Sequence, residues 1–235
     1  MSESFILNFK HSLTAEECSA IISKYDASSE HHPGRTGAGI DTSKKNSLDL
    51  AISQIPEWQQ ICAGLDDLVM DCVTAYVQTY PHLITGAVTP HVLDPDTQLP
   101  RAIRFDEIPK YKVETVRHIV DSMLQIDPWN MQRYEPRSGG YPHWHSEQFP
   151  APNDPTQRSL HRVLLVIIYL NDVTDQGATE FFYQQASIQP EAGSIVLAPC
   201  GFTHTHRGAP SPTQAKYILA SWVSYKDASE LYKPS

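Results

Sequence analysis

The sequence predicts an α+β protein in which helices of the N-terminal half cover a β-rich C-terminal half. Three observations carry this expectation. From Glu57 onward Trp58, Ile61, Leu65, Leu68, Cys72 and Tyr76 recur at three- and four-residue steps, which describes one apolar face of a helix. After about Trp129 the chain changes to short β-type runs separated by turn residues, the pattern of a sandwich or barrel. Within that half, 162–170 is apolar on both parities, as a central strand covered on each face must be.

Taken in order, a short strand over 4–9 precedes Thr14-Ala-Glu-Glu17, where Thr followed three residues later by Glu forms a capping box and opens a helix through about Tyr25, with Ile21 and Ile22 on its buried face. The polar stretch 30–46 carries Gly34, Gly37 and Gly39 and reads as a mobile loop. The helix that starts near Glu57 ends near Pro81 and supplies core to a sheet. Residues 81–112 are Pro-rich and read either as a family-specific addition or as a long surface connection, with a strand over 101–105; this segment and 30–46 are also candidate substrate lids. Strands are then expected over 130–134, 162–170, 179–182, 194–197 and 217–224.

A chain of 235 residues accommodates one sizeable core, so a single domain over 1–235 is expected. The net charge of −9 and the lack of basic runs interleaved with aromatics argue against a nucleic-acid surface. Cys18, Cys62, Cys72 and Cys200 lie far apart with no C-x-x-C pair, which suits buried thiols in a reducing compartment. Neither a basic-then-apolar leader nor a membrane-length apolar run is present, so a cytoplasmic protein without a membrane partner is expected.

The densest chemistry is Tyr141-Pro-His-Trp-His-Ser-Glu147, directly after Ser138-Gly-Gly140. On an extended segment His145 and Glu147 project to one side, placing an imidazole and a carboxylate together. Phe202-Thr-His-Thr-His-Arg-Gly208 offers a further histidine. Two His and one carboxylate make a facial triad that suits Fe(II) and leaves adjacent positions open. Alternation alone does not choose between His143 and His145, or between His204 and His206. A set of His143, His145 and His204 would suit zinc, manganese or a cupin-like metalloenzyme. Trp144 projects opposite His145, Arg162 either orients substrate or bridges a carboxylate, and His161 and Cys200 have no evident chemical partner.

From about Asn130 to Tyr225 the sequence resembles the catalytic core of prolyl 4-hydroxylase-like Fe(II)/2-oxoglutarate dioxygenases. Gln132-Arg-Tyr134-Glu-Pro resembles the strand before the first ligand, Tyr169-Leu-Asn171 the next core strand, and Gln176-Gly-Ala-Thr-Glu-Phe181 the Gly-containing turn and strand. His206-Arg-Gly208-Ala-Pro210 resembles the distal ligand motif, with Lys216 ten residues on. Two positions depart from the family pattern: Glu147 replaces the usual Asp, and Gln176 the first glycine of a pair.

The resemblance implies a double-stranded β-helix, or jelly-roll, core of mostly antiparallel strands over about 130–225, with the N-terminal helices packed on one sheet. It implies Fe(II) on His145, Glu147 and His206 as the catalytic and metal-binding set, with O₂ and 2-oxoglutarate as cosubstrates and ascorbate as a supporting reductant. Lys216 would hold the C5 carboxylate as a point charge, with Tyr134, Tyr169 and Thr179 lining the same pocket. The implied reaction hydroxylates an organic substrate with release of succinate and carbon dioxide. A prolyl residue in a peptide or protein is the first substrate, ahead of free amino acids and other small molecules. The Glu147 departure keeps open a catalytically weak metal-binding or protein-interaction module of the same fold.

Overall fold

The computed structural model describes residues 3–232 except Ala38, Ala87, Pro95 and Asn153; the first of these four lies in the predicted 30–46 loop and the next two in 81–112. β1 (Leu7–Phe9) and α1 (Ala15–Asp26) lead into β2 (His32–Pro33) and β3 (Leu48–Leu50). The helical layer follows as α2 (Gln59–Thr79), α3 (His82–Thr85), the ribbon β4 (His91–Leu93) and β5 (Pro100–Ala102), and α4 (Val113–Met123). The remaining strands are β6 (Leu124–Ile126), β7 (Asn130–Tyr134), β8 (Tyr141–His145), β9 (Arg162–Tyr169), β10 (Thr179–Phe181), β11 (Ala186–Ile188), β12 (Ile195–Pro199), β13 (His206–Gly208) and β14 (Lys216–Tyr225), before α5 (Ala228–Leu231).

These strands form two antiparallel sheets. The larger runs β1-β12-β9-β14-β7-β3-β2, with β6 also on β14; the smaller runs β11-β10-β13-β8. Strand β9 sits centrally and uses both faces, as its unbroken apolar sequence predicts. Leu164, Val166 and Ile168 join Leu219, Val223 and Leu197 against the helices, whereas Leu165, Ile167 and Tyr169 join Val196 and Ile218 on the opposite face. Each such buried aliphatic side chain contributes about 1.5–3 kcal/mol.

The helices form on the expected signals. Thr14 caps α1 with a reciprocal box: the Glu17 amide donates to Thr14 Oγ1 (3.1 Å) and the Thr14 amide to Glu17 Oε2 (2.8 Å). Ile21 is buried while Ile22 is half-buried, because Cys18, Ile21 and Tyr25 form the inward stripe. α2 starts after a 3₁₀ turn, Pro56–Trp58, and buries Leu65, Val69, Cys72, Val73 and Tyr76. α4 has no counterpart among the predicted elements, although Val116, Val120 and Met123 keep helical spacing. It lies on α2 and is tied there by Arg117, which meets Asp67 (2.8 Å), Asp71 (2.6 Å) and its own Asp121 (2.9 Å).

In 81–112 the strand is shorter than expected, Pro100–Ala102, and pairs with His91–Leu93; Ile84, Ile103 and Ile108 anchor the segment in the helical core. The four cysteines are free and buried. Among the described residues no helix is long and apolar enough to cross a membrane.

Candidate metal centre and its cavity

Between the two sheets lies a cavity of about 260 Å³ whose walls come from β7, β8, β9, β10, β13 and β14. Strand parity builds it. β14 turns Lys216, Ile218, Ala220 and Trp222 inward, and β7 turns Asn130, Gln132 and Tyr134 inward. The register Lys216↔Tyr134, Ile218↔Tyr169 and Trp222↔Leu165 locks these rows together.

His145 and His206 face each other across the β8–β13 pair, and Glu147 follows just beyond the end of β8. Glu147 Oε1 lies 3.4 Å from His145 Nε2 and 3.3 Å from His206 Nε2, and all three donor atoms fall within 4.8 Å of one another. Each imidazole is oriented from behind. His145 Nδ1 is 2.8 Å from the His143 carbonyl and His206 Nδ1 is 3.0 Å from the His204 carbonyl. A carbonyl only accepts, so both Nδ1 atoms carry the hydrogen and both Nε2 lone pairs point at the carboxylate. Three lone-pair donors converging without a hydrogen between them suit a cation, and two imidazoles with one carboxylate suit Fe(II).

Glu147 is further fixed at its second oxygen, which accepts from Trp222 Nε1 at 2.9 Å, and at its amide, which donates to the Cys200 carbonyl at 3.0 Å. The longer side chain of Glu thus reaches both the histidines and the indole. Burial alone would raise this carboxyl, but the proximity of the His145 and His206 imidazoles outweighs it and holds the group well below the usual range. Burial lowers the His145 imidazole, keeping it the neutral ring that a metal needs.

The rival histidines are excluded from the cluster by backbone geometry. Between the pairs His206↔His145 and Gly208↔Tyr141 the register shifts, so 142–144 oppose a single residue of β13, and His143 is exposed. His204 does not share a strand with His206 at all. It ends a 3₁₀ turn, Phe202–His204, and turns away to place Nε2 2.9 Å from the Ser4 carbonyl. Trp144 lies on the outer face, edge-on to Phe182 and 4.5 Å beneath the Arg207 guanidinium.

Lys216 is only 4% exposed, yet among the described residues no carboxylate pairs with it. Its ammonium donates to the carbonyls of Gly177 (2.8 Å) and Ala209 (3.4 Å) and sits 5.0 Å over the Tyr134 ring. Burial pushes it down to about 8. A buried cation with only neutral acceptors suits an incoming anion. Tyr169 donates to Thr179 Oγ1 (2.6 Å), which leaves the Thr179 hydroxyl hydrogen free for the cavity; Tyr134 donates to Gln132 Oε1 (2.5 Å). Burial raises both phenols, so both remain neutral donors.

Trp222 and Lys45 also line the cavity and were not anticipated as site residues from the sequence. Trp222 shares the parity of Lys216, which is the signal that would have found it. Arg162 both bridges and lines. It stacks 3.5 Å over Trp222, lies 3.6 Å from Asp127 and donates to the Glu147 carbonyl (3.2 Å), while Nε has no hydrogen-bond partner. Lys45, buried, pairs with Asp49 at 2.7 Å. Of the two candidate lids, 30–46 reaches the cavity through Arg35, Thr36, Gly37 and Lys45, and among the described residues none from 81–112 lines it.

Residues 129–224 match the family model of the 2OG-Fe(II) oxygenase superfamily, a span that holds the His-Glu-His cluster and Lys216. Over this span the chain is similar to that superfamily. The protein is thus an oxidoreductase of the dioxygenase class, with Fe(II), 2-oxoglutarate and O₂ as its cofactors. No curated protein sequence matches the chain. Solved structures match its fold over nearly its full length. A prolyl hydroxylase from Trichoplax adhaerens, in complex with a hypoxia inducible factor oxygen degradation domain peptide fragment, gives a TM-score of 0.60 at 12% identity, covering 99% of this chain and 88% of that one. A Pseudomonas putida prolyl-4-hydroxylase gives 0.53 at 14%, covering 94% and 93%. The viral collagen prolyl hydroxylase of Paramecium Bursaria Chlorella virus-1, as its 2OG complex, gives 0.50 at 12%, covering 95% and 97%. The likeness bears out the double-stranded β-helix expected from the sequence.

Proposed function

We propose that this chain hydroxylates a residue of a peptide or protein, a prolyl residue first, with Fe(II) on His145, Glu147 and His206 and the C5 carboxylate of 2-oxoglutarate on Lys216. The observation that carries the reading is the presence in one cavity of three converging metal donors and a buried ammonium without a carboxylate partner. The pairing of β1 with β12 supports treating residues 1–235 as one oxygenase unit, and four free buried thiols fit a cytoplasmic setting.

When bound, the iron, 2-oxoglutarate and O₂ supply the oxidation, in which 2-oxoglutarate becomes succinate and carbon dioxide and one oxygen atom enters a substrate C–H bond. The protein's part is positional. The His143 and His204 carbonyls aim the two imidazoles, and Trp222 holds the free oxygen of Glu147, so the three ligands keep one face. The Lys216 ammonium takes a carboxylate as counterion, and the Thr179 hydroxyl has a hydrogen to add. Leu165, Ile167 and Ile218 form a dry wall that keeps water from the reacting atoms. That the Trichoplax adhaerens enzyme was solved with a peptide fragment supports a peptide substrate here.

Succinate release from 2-oxoglutarate, measured with Fe(II) and ascorbate and stimulated by prolyl peptides, tests the reading. H145A and E147A abolish the release, whereas H143A retains it. A protein that binds iron yet turns over 2-oxoglutarate with no peptide or amino acid defeats it.

A further inference from the structure

The charge around the site runs against the charge of the chain. The whole sequence carries −9, but Arg35, Lys44, Lys45, Arg162 and Lys216 line the cavity and the hollow that adjoins it, and Glu147 is the sole carboxylate among the described lining residues. Three of these cations already have roles. Lys216 faces the cosubstrate in the reading above, Arg162 is held by Asp127 and Trp222, and Lys45 is neutralised by Asp49. Arg35 has no partner among the described residues and is exposed at the mouth, and Lys44, which lines the adjoining hollow, has only Asp41 at 3.5 Å, the Lys44 and Asp41 side chains being about two-fifths exposed.

The backbone that carries Arg35 is fixed over the opening. The Gly34 amide donates to the Ser47 carbonyl (2.9 Å), and Thr36 and Gly39 exchange amide–carbonyl bonds of 2.8 and 3.0 Å. Gly37 lies so close to the Phe149 ring that an added Cβ would stand 2.6 Å from it. A long cationic side chain is thereby anchored at the rim of a site whose inner wall offers hydrogen bonds: Asn130 Oδ1 is buried without a partner, and the Gln132 amide faces the cavity.

We propose that Arg35, assisted by Lys44, receives a carboxylate carried by the substrate. This rests on the oxygenase reading and narrows its substrate class. The carboxylate comes either from an acidic residue beside the hydroxylated one or from the α-carboxylate of a free amino acid; both present the same chemistry to a guanidinium.

The test measures binding by calorimetry to protein loaded with Mn²⁺ and 2-oxoglutarate under anaerobic conditions. One arm compares acetylated, amidated peptides with Glu or Gln next to proline; the other compares L-proline with L-prolinamide. In one arm the carboxylate partner binds about tenfold tighter than its amide twin, and which arm shows the preference identifies the source. The preference weakens with salt and disappears in R35Q/K44Q, whose unchanged melting temperature shows an intact fold, since both residues are exposed. Equal binding of acid and amide, a preference that survives the double substitution, or failure of every carboxylate probe to bind while 2-oxoglutarate binds overturns the proposal. Failure of wild-type protein to bind Mn²⁺ or 2-oxoglutarate overturns the oxygenase site itself, and this proposal with it.

Discussion

Replacing Lys216 by Met separates what the residue does for the fold from what it does for the cosubstrate. Burial lowers its ammonium from the ordinary 10.5 to about 8, which at about 1.4 kcal/mol per unit is a cost of about 3 kcal/mol for folding with the charge inside. The folded value lies below the unfolded one, so the unfolded state binds more protons between them. The cost is therefore present in full below about pH 8 and fades as pH rises toward 10.5. Methionine removes it but leaves the Gly177 and Ala209 carbonyls without their donor, at about 1 kcal/mol each. The net expectation at pH 7 is a gain of about 1 kcal/mol, or a melting temperature higher by about 3 °C. Saturating 2-oxoglutarate, at about a hundred times its Kd, stabilises Mn²⁺-loaded wild type by about 2.7 kcal/mol and leaves K216M unmoved. Thermal melting with and without 2-oxoglutarate reads both effects. A K216M protein that melts lower at pH 7, or that keeps the cosubstrate shift, refutes the reasoning.

Three further outcomes follow from the same geometry. Wild-type affinity for 2-oxoglutarate is flat below about pH 8 and falls as Lys216 loses its proton above it, by about tenfold per pH unit; calorimetry across pH 6.5–9.5, taken as roughly the useful range, checks this, and a flat profile contradicts it. W222F keeps a ring under Arg162 but deletes the N–H that holds Glu147 Oε2, so Mn²⁺ affinity drops by about tenfold; an unchanged titration would show the indole bond to be idle. Gln176 stands at φ +59° directly before Gly177 at φ +75°, and Q176G relieves about 1 kcal/mol of left-handed strain while giving back part of it as unfolded-chain entropy. Urea unfolding should show a gain of about 0.5 kcal/mol, and a loss would mean the side chain contributes more than its backbone costs.

The parts of the site that sequence made legible are those set by local period. That His145 and Glu147 project to one side follows from spacing, whereas the preference for His145 over His143, and Lys216, came from the resemblance to the prolyl 4-hydroxylase-like family. What spacing left open was settled by irregularities that carry no sequence signature. The register shift in β8 expels His143, and a 3₁₀ turn breaks the assumed parity between His204 and His206. The neighbourhood of Gln132 in the cavity wall was hidden for another reason: Asp49 pairs with Gln132 only because β3 pairs with β7, a contact spanning more than eighty residues of chain. α4 was legible as well, since Val116, Val120 and Met123 keep helical spacing over its eleven residues, although no helix was expected there. The Gln176 departure was visible, but only its left-handed backbone explains why glycine is the ordinary occupant.

Strand β9 places Leu164, Val166 and Ile168 among the helices and Leu165, Ile167 and Tyr169 against the cavity. Adjacent codons along this strand therefore face different selective pressures. The even positions are constrained by the survival of the folded chain, and the odd ones by what fits beside the metal. A population of variants drifting toward a new substrate can change every second residue of its central strand while the scaffold that carries it stays intact.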